Sequence, residues 1–493
     1  MSAHTGPVAS RKNLLLILLG LIVMALIMMT PTPHGLSVAG QRQIAIMVFT
    51  VFMWITEAIP YGVSAVALVF LMIVFLGFAP VQGISGPLLG TGKAIPLALA
   101  GFSDSGWMFV AAGLFMAAAI TSTGLEKRLA YMILRMVGTK INSIMFGMII
   151  TAFVLTFLIP SVIARGATLV PIALGLIGAF DLPVNSQVGK ALLLLAGILP
   201  SVTGVGVLTG AAPNPVLISF LTGAGQPGIG YLDWMLFLFP YTVVFATALY
   251  FLVTKMFKFE FAELPGGHAY LNKCINELGP MSNNEKRVSA IMVLTIILWS
   301  TDKLHHIEPG AISVLSVLLM LFPYIGVTTW QELYKKVDWT SILLFGAGIS
   351  MASVFVKTGG AKWVGQVLFA ESGVGSFSIT ALSITIFILM FFIRFCFTSI
   401  TSCLTAITPA IIAFLIGLNH PNMPITGIVL GASVVAQCTA ILPVTSAPAM
   451  IAYGAGGFTT RDMAKLGVPL AVVMYILLLL FMFTYWPLIG MWH

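Results

Sequence analysis

Two short polar stretches, each between apolar runs, hold the residues of this sequence that could do chemistry. In the first, Arg165 follows Ser161 with no acidic residue nearby in the sequence, and in the second, Thr401 follows Ser399. In both stretches a proline stands ten residues after the first serine. A cation at membrane depth costs about 2.5–3.5 kcal/mol even on a lenient scale, and therefore usually marks a pathway or binding site. Arginine suits bidentate binding of a carboxylate. The alternative is a structural arginine that caps backbone carbonyls.

Composition assigns the chain to the membrane. Of its 493 residues, 59% are hydrophobic and 8% are charged, whereas soluble domains average about 25% charged residues. The net charge of +8 is spread over loops rather than gathered in a stripe, so no nucleic-acid partner is predicted. The four cysteines lack the spacing of metal ligands and are predicted to be packing residues. No metal or other cofactor is predicted.

Apolar runs near the roughly 20 residues that span a bilayer predict eleven transmembrane helices. They lie at about 13–30, 42–60, 61–80, 106–124, 188–208, 232–256, 288–301, 310–329, 340–358, 425–445 and 466–488. The two polar stretches have shorter apolar arms, 141–159 with 161–180 and 376–397 with 404–418. The prediction is an all-α polytopic membrane protein in which these arms form two re-entrant hairpins with polar tips.

Charge predicts the orientation of the helices. With a cytoplasmic N-terminus, most lysines and arginines of the loops fall on the cytoplasmic side. The basic residues left on the outer side are Arg42, Lys93, Lys303, Lys357 and Lys362. The positive-inside rule favours this arrangement, which places the C-terminus outside. It also makes the first hairpin enter from the cytoplasm and the second from outside.

An internal repeat indicates the class of protein. The segment 54–57 (WITE) recurs as 299–302 (WSTD), and Ser161 matches Ser399 at an offset of 238 residues. On the charge assignment the two halves have opposite orientation. Inverted repeats with interrupted helices at matching places are typical of secondary transporters, whose site lies near the bilayer midplane.

Glycine and proline interrupt one span in each half, at 207–215 and 443–449. Non-helical backbone at membrane depth is tolerated only where it lines a cavity or is buried in protein. Helix N-termini that begin there offer free N–H groups and partial positive charge to an anion. Hydroxyl groups also lie at the tips and breaks, on Ser161, Thr209, Ser399, Thr401, Thr445 and Ser446.

The sequence positions of the acids favour an anion carrier. Fifteen carboxylates are present and none falls within the tips or the breaks, whereas cation and proton carriers generally need intramembrane Asp, Glu or His. Glu57 is predicted to have a structural role at a helix end. Arg394, in the arm before the second tip, is predicted to snorkel, and no function is assigned to it.

The segment 54–60 (WITEAIP), the two serine-led tips and the two broken helices together resemble the divalent anion:sodium symporter family over nearly the whole chain. In that family each tip reads Ser-Asn-Thr and binds substrate carboxylates, while the breaks help to form sodium sites. The resemblance implies a homodimer with a scaffold and a transport domain that moves as an elevator. The substrate-binding residues predicted for this chain are Ser161, Val162, Ile163, Arg165, Thr209, Gly210, Asn214, Ser399, Ile400, Thr401, Thr445, Ser446 and Pro448.

This chain departs from the family pattern at the expected sodium ligands. Val162 and Ile163 replace Asn and Thr at the first tip, Ile400 replaces Asn at the second, and Ala449 stands where the second break would have Asn. Three possible side-chain oxygens are lost at residues 162, 400 and 449. The Ala-Arg pair that ends at Arg165 resembles the exchanger branch, with its bacterial citrate/succinate antiporters and plastid 2-oxoglutarate/malate translocators. We predict that Arg165 supplies the fixed positive charge that sodium supplies in symporters.

The predicted function is elevator-type exchange of di- or tricarboxylates across a bacterial inner membrane, without sodium and without enzyme activity. Predicted scaffold regions are 13–104 and 231–330, and 464–493 is the last helix. Predicted transport regions are 105–230, with hairpin 141–180 and broken helix 188–223, and 331–463, with hairpin 376–418 and broken helix 425–456. Sodium dependence would indicate a symporter instead. Unsaturable flux would indicate a channel, buried acids would favour a cation/proton antiporter, and no nucleophile–base set supports an enzyme.

Overall fold

The computed structural model of the protein describes residues 11–492 except 82, 84–85, 260–262, 264–266, 373–377, 419 and 421. The first half contains α1 (Arg11–Met29), α2 (Val38–Thr56), α3 (Tyr61–Gly77), α4 (Thr91–Ala98), α5 (Ser105–Thr123), α6 (Leu125–Val137), α7 (Ile141–Leu158), α8 (Val162–Ala179), α9 (Gln187–Gly206), α10 (Pro213–Gly223), α11 (Tyr231–Met256) and α12 (Gly267–Glu277). The second half contains α13 (Asn283–Ser300), α14 (Asp302–His305), α15 (Pro309–Leu321), α16 (Trp330–Leu333), α17 (Trp339–Lys357), α18 (Gly360–Ser372), α19 (Ile379–Arg394), α20 (Ile400–Gly417), α21 (Ile425–Cys438), α22 (Ala447–Gly454), α23 (Thr460–Phe483) and α24 (Tyr485–Leu488).

The predicted all-α membrane fold is confirmed. Among the described residues there is no β-strand, and ten helices are long and apolar enough to cross a membrane. Three of the ten, α7, α8 and α20, are arms of the predicted hairpins. The apolar helices α3, α15, α19 and α21 are shorter. The chain is therefore a multi-pass membrane protein.

Each hairpin turns at a serine that caps the returning helix. In the first, α7 ends at Leu158 and the extended residue Ser161 precedes α8. In the second, Ser399 precedes α20, which begins four residues earlier than the predicted arm at 404. The predicted polar tip thus forms the first turn of α20, because the Ser399 side chain satisfies one of its free N–H groups. The predicted start of the other arm, residue 376, lies outside the described residues.

Both broken helices are interrupted where glycine and proline indicate. After α9 the chain forms a 3-10 turn at Leu208–Gly210, and α10 starts with a proline. After α21 a similar turn at Pro443–Thr445 precedes α22. Proline is favoured at the first helical position because its missing N–H would have no partner there. Each break therefore starts a new helix inside the protein.

Helix α9 organises the first half of the site. Every residue from Ala191 to Gly206 is buried, as expected for a helix that is apolar on all sides. It packs against α7, α8, α11 and α22. In the second half, α20 packs against α10, α17, α18 and α21. These contacts bring the two hairpins and the two breaks together.

Helices α6, α12 and α18 are the longest of the helices that lie outside the predicted spans, hairpin arms and broken helices. α6 and α18, of 13 residues each, follow α5 and α17 and are therefore related by the internal repeat. α12 lies in the polar connection and packs on α6. Arg128 of α6 joins this region to the start of α13, because its guanidinium donates to both carboxylate oxygens of Glu285 at 2.7 and 3.2 Å.

Candidate functional site

Both hairpin tips line a single cavity of about 560 Å³. Ser161 and Val162 contribute from the first tip, and Ser399 and Thr401 from the second. The two breaks contribute the segments 211–213 and 446–448, and the starts of α3 and α17 complete the wall. The internal repeat therefore brings sequence segments about 238 residues apart around one space.

Three of the helix N-termini at this cavity are capped by a serine of a tip or a break. Ser161, Ser399 and Ser446 cap α8, α20 and α22 by accepting hydrogen bonds from backbone N–H groups three residues ahead, at 3.2–3.3 Å. Each serine hydroxyl accepts in its cap and keeps its own hydrogen to donate. Helix N-termini carry partial positive charge. Their convergence makes the cavity suited to an anion.

Arg165 lies behind the first tip rather than in the cavity. Its side chain is fully buried, and its Nη1 and Nη2 atoms donate to the carbonyl oxygens of Ile159 and Pro200, both at 2.7 Å. Its Nε has no hydrogen-bond partner among the described residues. The arginine therefore caps carbonyls, as in the alternative given above, and brings its charge to the tip without lining the cavity.

Arg394 makes the equivalent contacts behind the second tip. Its Nη1 donates to Phe397 O at 2.5 Å and its Nε to Ala436 O at 3.0 Å. The side chain is fully buried, so the prediction that it snorkels is wrong. The guanidinium stays inside the protein because it satisfies two carbonyls, and the residues that carry them, Phe397 and Ala436, are themselves buried. No acidic side chain among the described residues pairs with Arg394 or Arg165.

Asn214 fixes the first break and links it to the second half. Its fully buried amide donates to Gly204 O at 2.9 Å and Val207 O at 3.0 Å. Its oxygen accepts from Gln437 Nε2 at 3.0 Å. Gln437 lines the cavity, whereas Asn214 does not. Asn214 is therefore placed to hold the backbone of the break while Gln437 faces the space.

The predicted site residues divide into two groups. Those that line the cavity are Ser161, Val162, Ile163, Ser399, Ile400, Thr401, Ser446 and Pro448. Those that lie behind its wall are Arg165, Thr209, Gly210, Asn214 and Thr445. Thr445 donates to Leu442 O at 2.7 Å, and Gly210 approaches the backbone of Gly204 too closely for a side chain. In the second group, Arg165 lies behind the first tip, and the other four residues shape the breaks rather than the cavity surface.

Sequence reasoning missed several residues of the cavity wall, namely Tyr61, Asp338, Thr398 and Gln437. No carboxylate falls within the tips or the breaks along the sequence, but folding brings one to the second tip. Glu57, at the end of α2, accepts a hydrogen bond from Thr398 immediately before the second tip. It also accepts from the Tyr61 hydroxyl at 2.8 Å. Folding brings these residues together across more than 330 positions, which sequence spacing cannot reveal.

The described residues contain no group of three or more His, Cys, Asp or Glu side chains that could hold a metal ion. Oxygen atoms near the tips come from hydroxyls, amides, backbone carbonyls and the separate carboxylates of Glu57 and Asp338. The carbonyls of Ile159 and Phe397, each two residues before a tip serine, are taken by guanidinium groups. These two oxygens therefore already have hydrogen-bond donors.

Comparison with known sequences gives matches along the whole chain. A family model described as the sodium:sulfate symporter transmembrane region matches residues 11–492. A Cupriavidus necator membrane protein is 33% identical over 95% of this chain and 91% of its own length. The sodium-dependent dicarboxylate transporter SdcS of Staphylococcus saprophyticus is 28% identical over 96% and 92%. An L-tartrate/succinate antiporter of Shigella flexneri is 24% identical over 95% and 97%.

Among solved structures, Neisseria gonorrhoeae MtrF, described as illuminating a class of antimetabolite efflux pumps, superimposes with a TM-score of 0.52. The two share 13% identity over 97% of this chain and 94% of the other. At that identity the likeness concerns the fold alone. It supports an arrangement of helices that is already known from a membrane efflux protein.

Proposed function

The chain belongs to the sodium:sulfate symporter family, the divalent anion:sodium symporters that its sequence resembles, and we propose that it exchanges di- or tricarboxylates across the bacterial inner membrane without sodium. The members of this family and the relatives with names are transporters, not enzymes. The relatives include a sodium-dependent dicarboxylate transporter and a tartrate/succinate antiporter, so their names cover both modes of transport.

The observation that carries the proposal is the pair of buried arginines, Arg165 and Arg394, one behind each tip. Each joins the carbonyl two residues before a tip serine to a carbonyl of the helix that leads into a break. A sodium ion needs several such oxygens. Because guanidinium groups already bind them, and residues 162, 400 and 449 offer no side-chain oxygen, sodium coupling is disfavoured.

Fixed cations also account for exchange. Sodium leaves a symporter with its substrate, so the empty carrier can return without that charge. Arg165 and Arg394 cannot leave, and moving unpaired charge through a low-dielectric barrier is costly. A bound dianion would neutralise the two arginines. The empty carrier would therefore cross the membrane barrier only after another anion had bound.

In this proposal the transport domain comprises 105–230 and 331–463, and it moves as an elevator against scaffold regions 13–104 and 231–330 in a homodimer. Helices α5 and α17 contact both groups, since α5 packs on α15 and α10, and α17 packs on α3 and α20. These two helices would then form the sliding surface between the domains. The residues proposed to bind substrate are the thirteen residues predicted from the sequence. Those that line the cavity act by contact, and those behind its wall by position or charge.

The test uses purified protein in liposomes that are preloaded with succinate or left empty, with labelled succinate outside. Uptake only into loaded vesicles, at equal rates with and without a sodium gradient, is the expected result. Sodium-driven uptake into empty vesicles would refute exchange and favour the second candidate, a sodium-coupled symporter. The sodium-dependent dicarboxylate transporter among the relatives supports this second candidate. Without uptake of succinate, citrate, tartrate and 2-oxoglutarate are tested in the same way. If none is exchanged, the proposal is wrong.

A further inference from the structure

The end of α2 and the start of α3 contact the second tip through side chains that the proposed mechanism does not use. Glu57 Oε1 accepts hydrogen bonds from Thr398 and, at 2.8 Å, from the Tyr61 hydroxyl. Tyr61 also lies 3.3 Å from the Thr398 hydroxyl and accepts a longer contact of 3.5 Å from Ser402. One carboxylate thus gathers hydroxyl groups from two elements that are far apart in the sequence.

Glu57 holds an unusual backbone conformation for this contact. Its φ angle is +50°, in the left-handed region where glycine is ordinary and most other residues are uncommon. A glycine would end α2 without that cost. The conformation is consistent with the expected role at a helix end, but it does not explain why an acid stands there. The contact with the second tip explains the acid, because a carboxylate can accept the hydrogen bonds from Thr398 and Tyr61.

Thr398 and Tyr61 both line the substrate cavity, whereas Glu57 does not. Their hydroxyl hydrogens point to a carboxylate oxygen at the edge of that space. A carboxylate of the substrate carries the same acceptor atoms and the same charge as Glu57. Two carboxylates cannot share these donors at short range, because like charges in a partly buried site repel.

We propose that the Thr398 and Tyr61 hydroxyls form a carboxylate-binding position at the second tip. The Glu57 carboxylate occupies this position in the empty carrier, and a carboxylate of the substrate displaces it. The inference rests on the proposed function. The contact between Glu57 and Thr398 then joins the proposed scaffold domain to the proposed transport domain while the cavity is empty. A bound dicarboxylate takes the Thr398 hydroxyl, repels Glu57, and releases the tip from α2. The contact of Glu57 with the second tip would thus hinder movement of the empty carrier, in addition to the effect of the buried arginines, and would favour exchange.

The proposal is tested with Glu57→Gln in the loaded and empty liposomes. The neutral amide keeps the shape but accepts weaker hydrogen bonds, since bonds to an ionised group are about twice as strong. Succinate should bind about three- to tenfold more tightly, because the competing hydrogen bonds lose about half of their strength, a change that corresponds to about 0.7–1.4 kcal/mol. Uptake into empty vesicles should rise by a similar factor. Glu57→Ala should act in the same direction, and more strongly.

Thr398→Val separates competition from a merely structural role. It removes the contact with Glu57 and a donor to the substrate, so uptake into empty vesicles should rise while succinate binding weakens about tenfold. Asp302→Asn is the matched control. Asp302 is the repeat equivalent of Glu57, accepts from the backbone N–H of Tyr231 at 3.4 Å, and contacts neither tip among the described residues. It should leave both quantities unchanged.

Hydrogen–deuterium exchange of residues 396–404 gives a readout that does not depend on transport. In the empty protein this segment should exchange faster in Glu57→Gln than in wild type, and succinate should reduce the difference. If wild type exchanges succinate but Glu57→Gln changes neither affinity, empty-vesicle uptake nor protection of the tip, this inference alone is wrong. If wild type exchanges none of the carboxylates, the proposed function fails and the carboxylate position fails with it.

Discussion

Arg165 and Arg394 occupy equivalent places although they come from opposite sides of the two tips. The offset of 238 residues that aligns Ser161 with Ser399 pairs Arg165 with Cys403, and Arg394 with Thr156. Arg165 reaches back from the helix after its tip, whereas Arg394 reaches forward from the arm before its tip. The two positive charges therefore occupy equivalent positions in the structure but not equivalent positions in the sequence repeat. Sequence reasoning could single out the first arginine but had no reason to connect the second one to it.

Neutral substitutions of these arginines test the electrostatic argument. Arg165→Gln and Arg394→Gln each remove a buried positive charge, so affinity for a dianion should fall about tenfold, the effect of losing about 1.4 kcal/mol of electrostatic attraction from behind the cavity wall. Uptake into empty vesicles should rise, because less unpaired charge crosses the membrane on return. Titration of labelled succinate onto the purified variants, followed by counterflow, gives both quantities.

Arg135→Gln is the control for this experiment, since Arg135 lies on the amphipathic α6 and its contact with Asn272 is exposed. It should bind and exchange succinate as wild type does. Normal affinity and exchange rate in both buried-arginine variants would contradict the role of fixed countercharges. Loss of folding is tested separately by the melting temperature, because each arginine also satisfies two buried carbonyls.

At the scale of elements, the first hairpin and the second break meet at a glycine. A Cβ atom on Gly166 of α8 would lie 2.7 Å from Pro448 Cβ and 3.0 Å from Pro448 Cα. Real Cβ contacts are almost never so short, and the proline ring at the start of α22 cannot rotate away. The close approach lets the N-termini of α8 and α22 face the same cavity.

Gly166→Ala should therefore move α22 away from α8. We expect a loss of about 1–3 kcal/mol, typical of overpacking, and at least a tenfold lower affinity for succinate as the two helix ends separate. Gly178→Ala on the same helix is the control, because nothing lies within 4 Å of its Cβ position. It should be neutral or slightly stabilising. Equal melting temperatures and affinities for the two variants would refute the packing argument.

The junction of α6 and α13 adds a pH-dependent element outside the membrane-spanning segments. Burial raises the pKa of Glu126 to about 7, with smaller effects from Lys127, Glu285 and Lys336. Burial also acts to raise the pKa of Glu285, but the hydrogen bonds from Arg128 and Ser282 outweigh it, so that pKa lies below its ordinary value. The two acids of one junction therefore differ in their charge near neutral pH.

The raised pKa of Glu126 predicts the sign of a stability change. The unfolded chain loses this proton near pH 4.5 and the folded protein only near pH 7, so this contribution to stability falls as pH rises between these values and then levels off. Its full size is on the order of 3 kcal/mol. Relative to wild type, Glu126→Gln should gain melting temperature from pH 5 to pH 8, whereas the exposed control Glu277→Gln should not. A constant difference across this range would contradict the prediction.

At the scale of the whole molecule, apolar run length and punctuation by glycine and proline were enough to predict the spans, the hairpins and the breaks. These features depend on local backbone chemistry and on the thickness of the bilayer. The approach of Glu57 to Thr398 and the place of Arg394 could not be predicted, because they depend on how the two halves pack. Helices α6 and α18 were missed because each has only 13 residues, and the charged residues of α6 also interrupt its apolar signal.

The orientation predicted from charge indicates which side of the membrane the cavity wall lies toward. That wall includes the start of α3, the start of α17 and residues 450–451 in the middle of α22. With a cytoplasmic N-terminus, all of these lie on the cytoplasmic side. The structure would then be an inward-facing state. An elevator must also present the same residues to the outside during each cycle.

Val444 lines the cavity and is 48% exposed, so Val444→Cys in a cysteine-free background reports on both states. In inside-out vesicles a membrane-impermeant maleimide should label it rapidly. In right-side-out vesicles labelling should be slower, and external succinate should protect the thiol by filling the cavity. Leu304→Cys, on the predicted outer loop and 80% exposed, should react only from outside, and Tyr324→Cys, 94% exposed, only from inside. Since exchange requires both faces to reach one site in turn, labelling of Val444→Cys from a single side in protein that exchanges succinate would contradict the prediction that this part of the cavity wall is presented to both sides of the membrane.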